Sequence, residues 1–317
     1  MSRSLVLLSG EGTTIPEAEA RALFLAYDPA SKFASPERRV LVADSLADPF
    51  VVGSRVAFSR RVGLLIDKAS DARRQVAGTR MRLRKFDLSD GLGKADFGAI
   101  LAGLDAAVDL KSPDYEFTLV RGRREYLALT KPGSMRQGWL VRRPRARPFF
   151  HPTAIFPKLS RAIVNLTRFR EGDVFLDPFC GTGSLALEAY EAGAEVVVSD
   201  QVERMVSGAL ANMRHFGQRW VGAIRADAFS HPVMRVDAVA ADLPYGRASS
   251  TRGEGPGAVV EKALDALPGL LPPGSRMVLM HSKAQRMAGS AALEVEEEHD
   301  LYIHKLLTRT ITVLRRK

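Results

Sequence analysis

In the second half of the chain, short apolar runs alternate with stretches in which apolar residues recur every three or four positions. The short runs predict strands and the longer stretches predict helices. Strands are expected at 173–176, 195–199, 221–226, 236–241 and 276–281, and helices at about 184–192, 202–216 and 258–270. This alternation is typical of a parallel, doubly wound α/β sheet. The end differs, because 293–298 and 307–314 predict an antiparallel pair that closes the sheet.

The first half contains shorter and more mixed elements. A helix start with a capping box at Thr14 and Glu17 and a proline at position 16 predicts a helix that ends near Tyr27. The other elements expected here are strands at 4–8, 40–43, 56–58, 62–66 and 80–86, a helix at 95–106, and a hairpin of strands 115–120 and 125–129. Together they predict two small α+β domains, over residues 1–68 and 69–140.

The segment 142–152, with the sequence RRPRARPFFHP, separates the two halves. Its prolines prevent a regular helix and its arginines favour the surface. We therefore expect a linker at 141–153 and a single larger domain at 154–317.

The composition is that of a globular protein, with 46% hydrophobic and 26% charged residues among 317. No apolar run is long enough to span a bilayer and no signal-sequence pattern is present, so we expect no membrane association. The single cysteine, Cys180, excludes an internal disulfide and fits a reducing cytoplasm. The six histidines show no ligand spacing with this cysteine, and we predict no metal site.

The net charge of +10 is concentrated in the first half of the chain. Residues 1–150 hold 26 Lys and Arg against 17 Asp and Glu, or +9, whereas residues 151–317 hold 20 against 19, or +1. A basic half beside a neutral half suggests a polyanion-binding region joined to a catalytic domain. Solubility alone is the alternative explanation. The predicted strand 80–86 alternates basic and apolar side chains, so Arg80, Arg82 and Arg84 are expected to share an exposed face.

The stretch Asp242-Leu243-Pro244-Tyr245-Gly246 follows a predicted buried strand. A carboxylate, a stiff turn and an aromatic ring at the carboxyl end of a strand suit a planar base whose exocyclic amine is to be alkylated. The base would lie on the Tyr245 ring, and the carboxylate and the turn carbonyl would accept hydrogen bonds from the amine. Taken alone, the stretch could also be an ordinary strand-to-turn junction.

A glycine-rich loop, Asp177-Pro178-Phe179-Cys180-Gly181-Thr182-Gly183, lies between a predicted strand and a predicted helix. Its glycines allow close approach of a ligand, and the helix start offers free N–H groups. Asp200, at the end of the next strand, suits ribose hydroxyls, and Asp227, one strand later, suits an adenine amino group. The loop also fits the loose G-x-G-x-x-A pattern of nicotinamide sites. The Asp177-Pro178 pair and the Asp242 stretch favour S-adenosylmethionine instead.

These motifs resemble those of class I amino-methyltransferases. The stretches 147–152 and 246–250 resemble more narrowly the archaeal tRNA guanosine-10 N2-methyltransferases, and 108–127 resembles the strand region of the THUMP domain, an RNA-binding module. The resemblance implies a Rossmann-like methyltransferase domain preceded by ferredoxin-like (1–68) and THUMP-like (69–140) domains.

The resemblance also implies the roles of individual residues. The residues expected at the catalytic turn are Asp242, Leu243, Pro244 and Tyr245. Those expected to bind S-adenosylmethionine are Asp177, Phe179, Gly181, Thr182, Gly183, Asp200, Asp227, Ala228 and Thr153. Those expected to bind RNA are Arg80, Arg82, Arg84, Arg123, Arg143 and Arg147. The partner implied is tRNA, the protein is expected to be a cytoplasmic monomer, and related tRNA methyltransferases can require a small activating partner protein.

The chain departs from the commoner motif at Leu243, where a first proline is usual. The carbonyl at this position is kept, so the hydrogen-bond acceptor survives in a less rigid turn. The alternatives left open are methylation of another tRNA or rRNA guanosine, adenine N6-methylation of nucleic acid, and an RNA-binding protein without activity. A C5-pyrimidine methyltransferase would need a cysteine nucleophile, and the only cysteine, Cys180, lies in the cofactor loop.

Overall fold

The structure is a computed structural model of the chain. It describes residues 2–11, 13–67, 72, 75–89, 106–132, 138–244, 256–285, 287, 290–304 and 307–317. The chain divides into two compact units, one made of Met1–Glu11 with Leu23–Gln137 and the other of Gly12–Ala22 with Gly138–Lys317.

The described part of the first unit contains one eight-stranded sheet, with the strand order β2-β3-β1-β4-β8-β7-β5-β6. The elements up to residue 130 are β1 (Ser2–Leu8), α1 (Ile15–Tyr27), β2 (Lys32–Glu37), β3 (Val40–Ser45), α2 (Pro49–Arg55), β4 (Ser59–Leu65), β5 (Thr79–Asp87), β6 (Ala106–Val108), β7 (Tyr115–Arg121) and β8 (Glu125–Thr130). Strand β5 pairs in parallel with β6 and β7, and the other pairs are antiparallel.

The prediction of a strand at 56–58 is wrong, because the nearest strand, β4, begins at Ser59. Helix α2 occupies the residues before it, because the Asp48 carboxylate caps the Phe50 N–H at 2.8 Å and Pro49 begins the helix. Val56 ends this helix, and the apolar side chains of 56–58 are buried in a loop rather than in a strand. The helix predicted at 95–106 lies almost entirely outside the described residues.

The predicted boundary at residues 68 and 69 stays a prediction. Strands from both sides of it share one sheet, because β4 and β8 are hydrogen-bonded neighbours.

The second unit contains a seven-stranded sheet within the described residues, with the order β11-β10-β9-β12-β13-β15-β14. Its elements are α3 (Pro157–Leu166), β9 (Val174–Asp177), α4 (Ser184–Glu191), β10 (Glu195–Asp200), α5 (Glu203–His215), β11 (Gly222–Arg225), β12 (Ala238–Asp242), α6 (Pro256–Ala266), β13 (Arg276–Ser282), β14 (Leu293–His304) and β15 (Leu307–Arg316). The first five strands of this order are parallel, whereas β15 is antiparallel to both β13 and β14.

The predicted α/β architecture, a parallel sheet with a C-terminal antiparallel pair, is therefore confirmed. The central strands β9, β10, β12 and β13 are buried on both faces, which explains their continuous apolar runs in the sequence. Three strands in a row, β10, β9 and β12, end in the carboxylates Asp200, Asp177 and Asp242. Because parallel strands end at the same edge of a sheet, these side chains come to one edge.

Within the described ranges, the chain has no helix with both the length and the apolar character needed to cross a membrane.

Candidate active site

The glycine loop after β9 has the backbone conformation that its sequence predicts. Gly181 and Gly183 have positive φ angles of 50° and 77°, which other residues adopt only with strain. A Cβ atom at Gly183 would lie 3.1 Å from the Ala209 Cβ, whereas one at Gly181 would meet no atom closer than 3.9 Å. The loop is tied down by bonds from the Cys180 N–H to the Ser199 carbonyl and from the Gly183 N–H to the Cys180 carbonyl. Gly183 therefore packs against helix α5, and Gly181 leaves the space above the loop open.

Asp200 connects this loop to the end of β10. Its carboxylate accepts hydrogen bonds from the Gly181 N–H at 3.1 Å and from the Val202 N–H at 2.9 Å. Burial raises the pKa of Asp200, and these two backbone bonds oppose the rise. Each oxygen keeps one further lone pair, so Asp200 can accept from a ribose while it holds the loop.

Asp177 lies beneath the loop and is almost fully buried. Burial raises the pKa of Asp177 to about 8, with a bond from the Phe179 N–H lowering it and the nearby Asp200 charge raising it. The carboxyl is thus protonated at neutral pH in the chain alone. A positively charged amino group would favour its ionised form.

Arg147 does not have the exposed position that an RNA contact requires. It is 5% exposed and donates hydrogen bonds to the Ser184 hydroxyl at 2.6 Å and to the Arg142 carbonyl at 2.8 Å. Thr182, expected to bind the cofactor, is also buried on this side of the loop and lies 3.5 Å from the Arg147 guanidinium. The prediction of RNA contact is therefore wrong for Arg147, and both side chains support the loop from behind.

The remaining predicted cofactor residues are Asp227, Ala228, Phe179 and Thr153. Asp227 is exposed and caps the Phe229 N–H at 3.0 Å, next to the buried Ala228. The Phe179 ring meets the Phe229 ring edge to face, at 5.9 Å between centroids. Thr153 lies in an exposed turn, where its hydroxyl bonds the His151 ring at 2.8 Å. The described hydrogen bonds of Thr153 reach only His151 and not the glycine loop, so its role in cofactor binding stays a prediction.

The donor set fits S-adenosylmethionine. Asp177 suits an ammonium group and Asp200 suits a ribose. Asp227 suits an adenine amino group, and the glycines leave room for a ligand against the backbone. Among the described residues, no group of three or more His, Cys, Asp or Glu side chains could hold a metal ion.

Asp242 ends β12 and is joined to an arginine that sequence reasoning missed. The Arg309 guanidinium donates to both of its oxygens, Nη2 to Oδ1 and Nη1 to Oδ2, the latter at 3.2 Å. Leu243, in the place of the usual proline, is 1% exposed and packs in the core with Val239 and Leu279. The Leu243 N–H bonds the Met280 carbonyl at 2.9 Å. Burial of the leucine and this bond fix the turn without the first proline.

Pro244 is half-buried at the end of the described segment. The predicted stacking residue, Tyr245, lies outside the described residues.

The other five predicted RNA-binding arginines expose their side chains to different degrees. Arg80 pairs with Asp114 at 3.1 Å and is about half exposed. Arg82, with an 18% exposed side chain, pairs with the fully buried Glu116, which also faces Arg84 at 3.6 Å and Arg61 at 3.2 Å. Three arginines thus share one carboxylate, and this face of β5 keeps a positive charge. Arg123 and Arg143 are exposed.

Comparison with known proteins gives consistent matches. The UPF0020 family model, described as an RMKL-like methyltransferase domain, matches residues 144–302. The chain is 30% identical to the tRNA (guanine(10)-N2)-dimethyltransferase of Methanothermobacter thermautotrophicus, over 98% of this chain and 99% of that protein. It is 32% identical to the tRNA (guanine(6)-N2)-methyltransferase of Thermus thermophilus, over 55% of this chain and 51% of that protein.

A solved structure shares the fold along nearly the whole chain. The crystal structure of TrmN from Thermus thermophilus matches with a TM-score of 0.53 and 21% identity, covering 99% of this chain and 100% of that one. The family model covers half of the chain, and the identity extends over almost all of it. The protein therefore belongs to the family of tRNA (guanine-N2)-methyltransferases built on the RMKL-like methyltransferase domain.

Proposed function

We propose that this enzyme transfers a methyl group from S-adenosylmethionine to the exocyclic N2 amine of a guanosine in tRNA, with guanosine-10 as the target. The observation that carries the proposal is the adjacency of two sites at one sheet edge. Strand β12, which ends in Asp242, pairs directly with β9, which leads into the glycine loop. An amine held at Asp242 would thus lie beside a cofactor held at the loop. The name of the relative from Methanothermobacter thermautotrophicus supports the target.

When bound, S-adenosylmethionine supplies an electrophilic methyl group. Asp177, Asp200 and Asp227 would hold its amino group, ribose and adenine, with Phe179 and Ala228 beside the base. The residues of this chain orient the target amine toward that methyl group. The Asp242 carboxylate and the Leu243 carbonyl accept hydrogen bonds from the NH2 group, which turns the nitrogen lone pair outward from the ring. Asp242 also draws away the proton that the amine loses.

We propose that Tyr245 stacks on the target base after the nucleotide leaves the helical stack. Pro244 stiffens the turn between Tyr245 and the two acceptors.

The first unit supports binding of tRNA. Arg82 and Arg84 lie on the face where three arginines share Glu116, Arg80 lies on the same strand, and Arg123 is exposed at the hairpin turn. We propose that these arginines and Arg143 contact phosphates, and that residues 69–140 act as a THUMP-like RNA-binding domain after a ferredoxin-like domain at 1–68. Association with a polyanion should then depend steeply on salt.

We further propose a cytoplasmic monomer. The single cysteine fits a reducing compartment. Activity of the purified chain alone would show that a small activating partner protein is dispensable.

Nucleoside analysis of a methylated transcript tests the proposed function. Unmodified tRNA transcript is incubated with labelled S-adenosylmethionine, digested and separated by chromatography with mass detection. We expect N2-methylguanosine, with N2,N2-dimethylguanosine if a second transfer follows. N6-methyladenosine would favour the adenine alternative, and absence of any product would favour an RNA-binding protein without activity. The Asp242→Ala variant should give no product and should bind the cofactor nearly as well as the wild type.

A further inference from the structure

Arg309 reaches the reaction site from a strand that is not adjacent to it. It lies near the start of β15, opposite Ser282 of β13, and β13 separates β15 from β12. Its guanidinium nevertheless bonds both oxygens of Asp242. The two residues are 67 positions apart in the sequence.

The Arg309 side chain is 6% exposed, whereas the Asp242 side chain is 18% exposed. The arginine therefore approaches the carboxylate from the protein interior, and Asp242 keeps an accessible side. A carboxylate has about four lone-pair sites, and a two-pronged bond with a planar guanidinium uses one on each oxygen. The other two remain for a donor that comes from the accessible side.

A second ion pair in the same sheet shows what a purely structural arginine does here. Arg276, at the opposite end of β13, bonds both oxygens of Glu296 at 2.9 and 3.0 Å, and its side chain is 18% exposed. That pair joins β13 to β14 far from the carboxyl ends of the parallel strands. The Arg309 pair is also two-pronged, through Nη1 and Nη2 instead of Nε and Nη2, but its carboxylate is the one proposed to hold the amine.

We propose that Arg309 is a positioning residue for methyl transfer: it holds the Asp242 carboxylate so that the two remaining lone pairs face the target amine. This inference rests on the proposed function. The two guanidinium bonds form a fork that fixes the carboxylate. Without this fork, the carboxylate can rotate about its Cβ–Cγ bond and the amine loses its fixed orientation. A misplaced reactant of this kind costs about 100-fold in rate.

The effect should fall on turnover and not on binding. In Arg309→Gln, we expect kcat to fall by about 100-fold, with the KM for tRNA and the Kd for S-adenosylmethionine within about threefold of wild type. Arg309→Lys keeps a charge but loses the fork, so we expect a smaller fall of about tenfold. Arg276→Gln is the control, and its kcat should stay within about twofold of wild type, because it removes a two-pronged arginine–carboxylate pair of the same sheet that lies away from the site.

A double-variant measurement separates positioning from general damage. In the Asp242→Asn background, single-turnover rates should fall by less than about threefold when Arg309→Gln is added, because the proposed effect of the arginine on the reaction is transmitted by that carboxylate. A full additional 100-fold loss in that background would overturn the inference. So would wild-type kcat in either single Arg309 variant.

The cofactor Kd of each variant reports whether the site has folded. Should Arg309→Gln fail to bind the cofactor, Arg309→Lys carries the test, and wild-type kcat in that variant overturns the role of the fork. Failure of the wild type to form N2-methylguanosine would instead refute the proposed function. The two failures are therefore distinguishable.

Discussion

Replacement of Asp177 by Asn should stabilise the chain while it weakens cofactor binding. Asp177 is 1% exposed, and burial raises its pKa to about 8, against 3.8 in an unfolded chain. Because the folded pKa is the higher one, its contribution to stability is fully present below about pH 4 and is lost as the pH rises through about 8. At pH 7 the unfolded chain is ionised at this position and the folded chain is not.

The size of this penalty follows from the two pKa values. Each pKa unit corresponds to about 1.4 kcal/mol, and roughly three units separate 3.8 from pH 7, which gives an upper limit of about 4 kcal/mol. We expect Asp177→Asn to raise the free energy of unfolding by roughly 2 kcal/mol at pH 7, about half of this upper limit. The amide oxygen can still accept the Phe179 N–H bond, so the loop keeps its anchor.

Urea unfolding of cofactor-free protein from pH 4 to pH 8 measures this difference. The difference in free energy of unfolding between Asp177→Asn and the wild type should be near zero at pH 4 and should grow with pH. The affinity of the variant for S-adenosylmethionine should fall at least tenfold, because the anionic partner of the amino group is lost. Asp237→Asn is the control, because Asp237 is only half-buried and bonds the Val174 N–H at 2.8 Å. It replaces the carboxylate acceptor of that bond by an amide and should not raise the free energy of unfolding. Equal or lower stability of Asp177→Asn at pH 7 would show that the folded chain pays no penalty for keeping the Asp177 carboxyl protonated.

Two further predictions concern the loop and the basic face. Gly183→Ala should lower the free energy of unfolding by about 1–2 kcal/mol, because the φ angle of Gly183 is positive, and should weaken cofactor binding measured by calorimetry. Gly217 is the control position, because it has a similar φ of 69° with open space around it. Gly217→Ala should leave cofactor binding unchanged. Unaltered cofactor affinity in Gly183→Ala would argue against the loop as the cofactor site. The logarithm of the tRNA binding constant should fall linearly with the logarithm of salt concentration, and Arg84→Gln should reduce the slope by about one. A flat salt response would exclude this face as the RNA platform.

Much of the second unit could be predicted from the sequence, because its strands and its glycine loop depend on residues that are close together in the chain. Apolar runs predicted the strands, and the glycine loop lies between a strand and a helix as predicted, with positive φ angles at Gly181 and Gly183. The carboxylates at strand ends followed from the parallel sheet, since Asp177, Asp200 and Asp242 each close an apolar run.

The features that were missed depend on contacts between distant residues. Arg309 meets Asp242 only through the register of an antiparallel strand. Arg147 stands in a basic, proline-rich segment that suggests the surface, yet Ser184 and the Arg142 carbonyl hold it inside. The strand expected at 56–58 had a competing local signal, because the Asp48-Pro49 pair starts a helix just before it.

Methylation of two matched tRNA transcripts, one with guanosine and one with inosine at position 10, tests the proposed transfer to the N2 amine. Inosine differs from guanosine only by lacking the exocyclic amine, so both transcripts should bind alike. Transfer to the N2 amine predicts N2-methylguanosine at position 10 of the first transcript and no methyl group at that position of the second. Equal methylation of both transcripts, or a product carrying the methyl group on adenine, would contradict it.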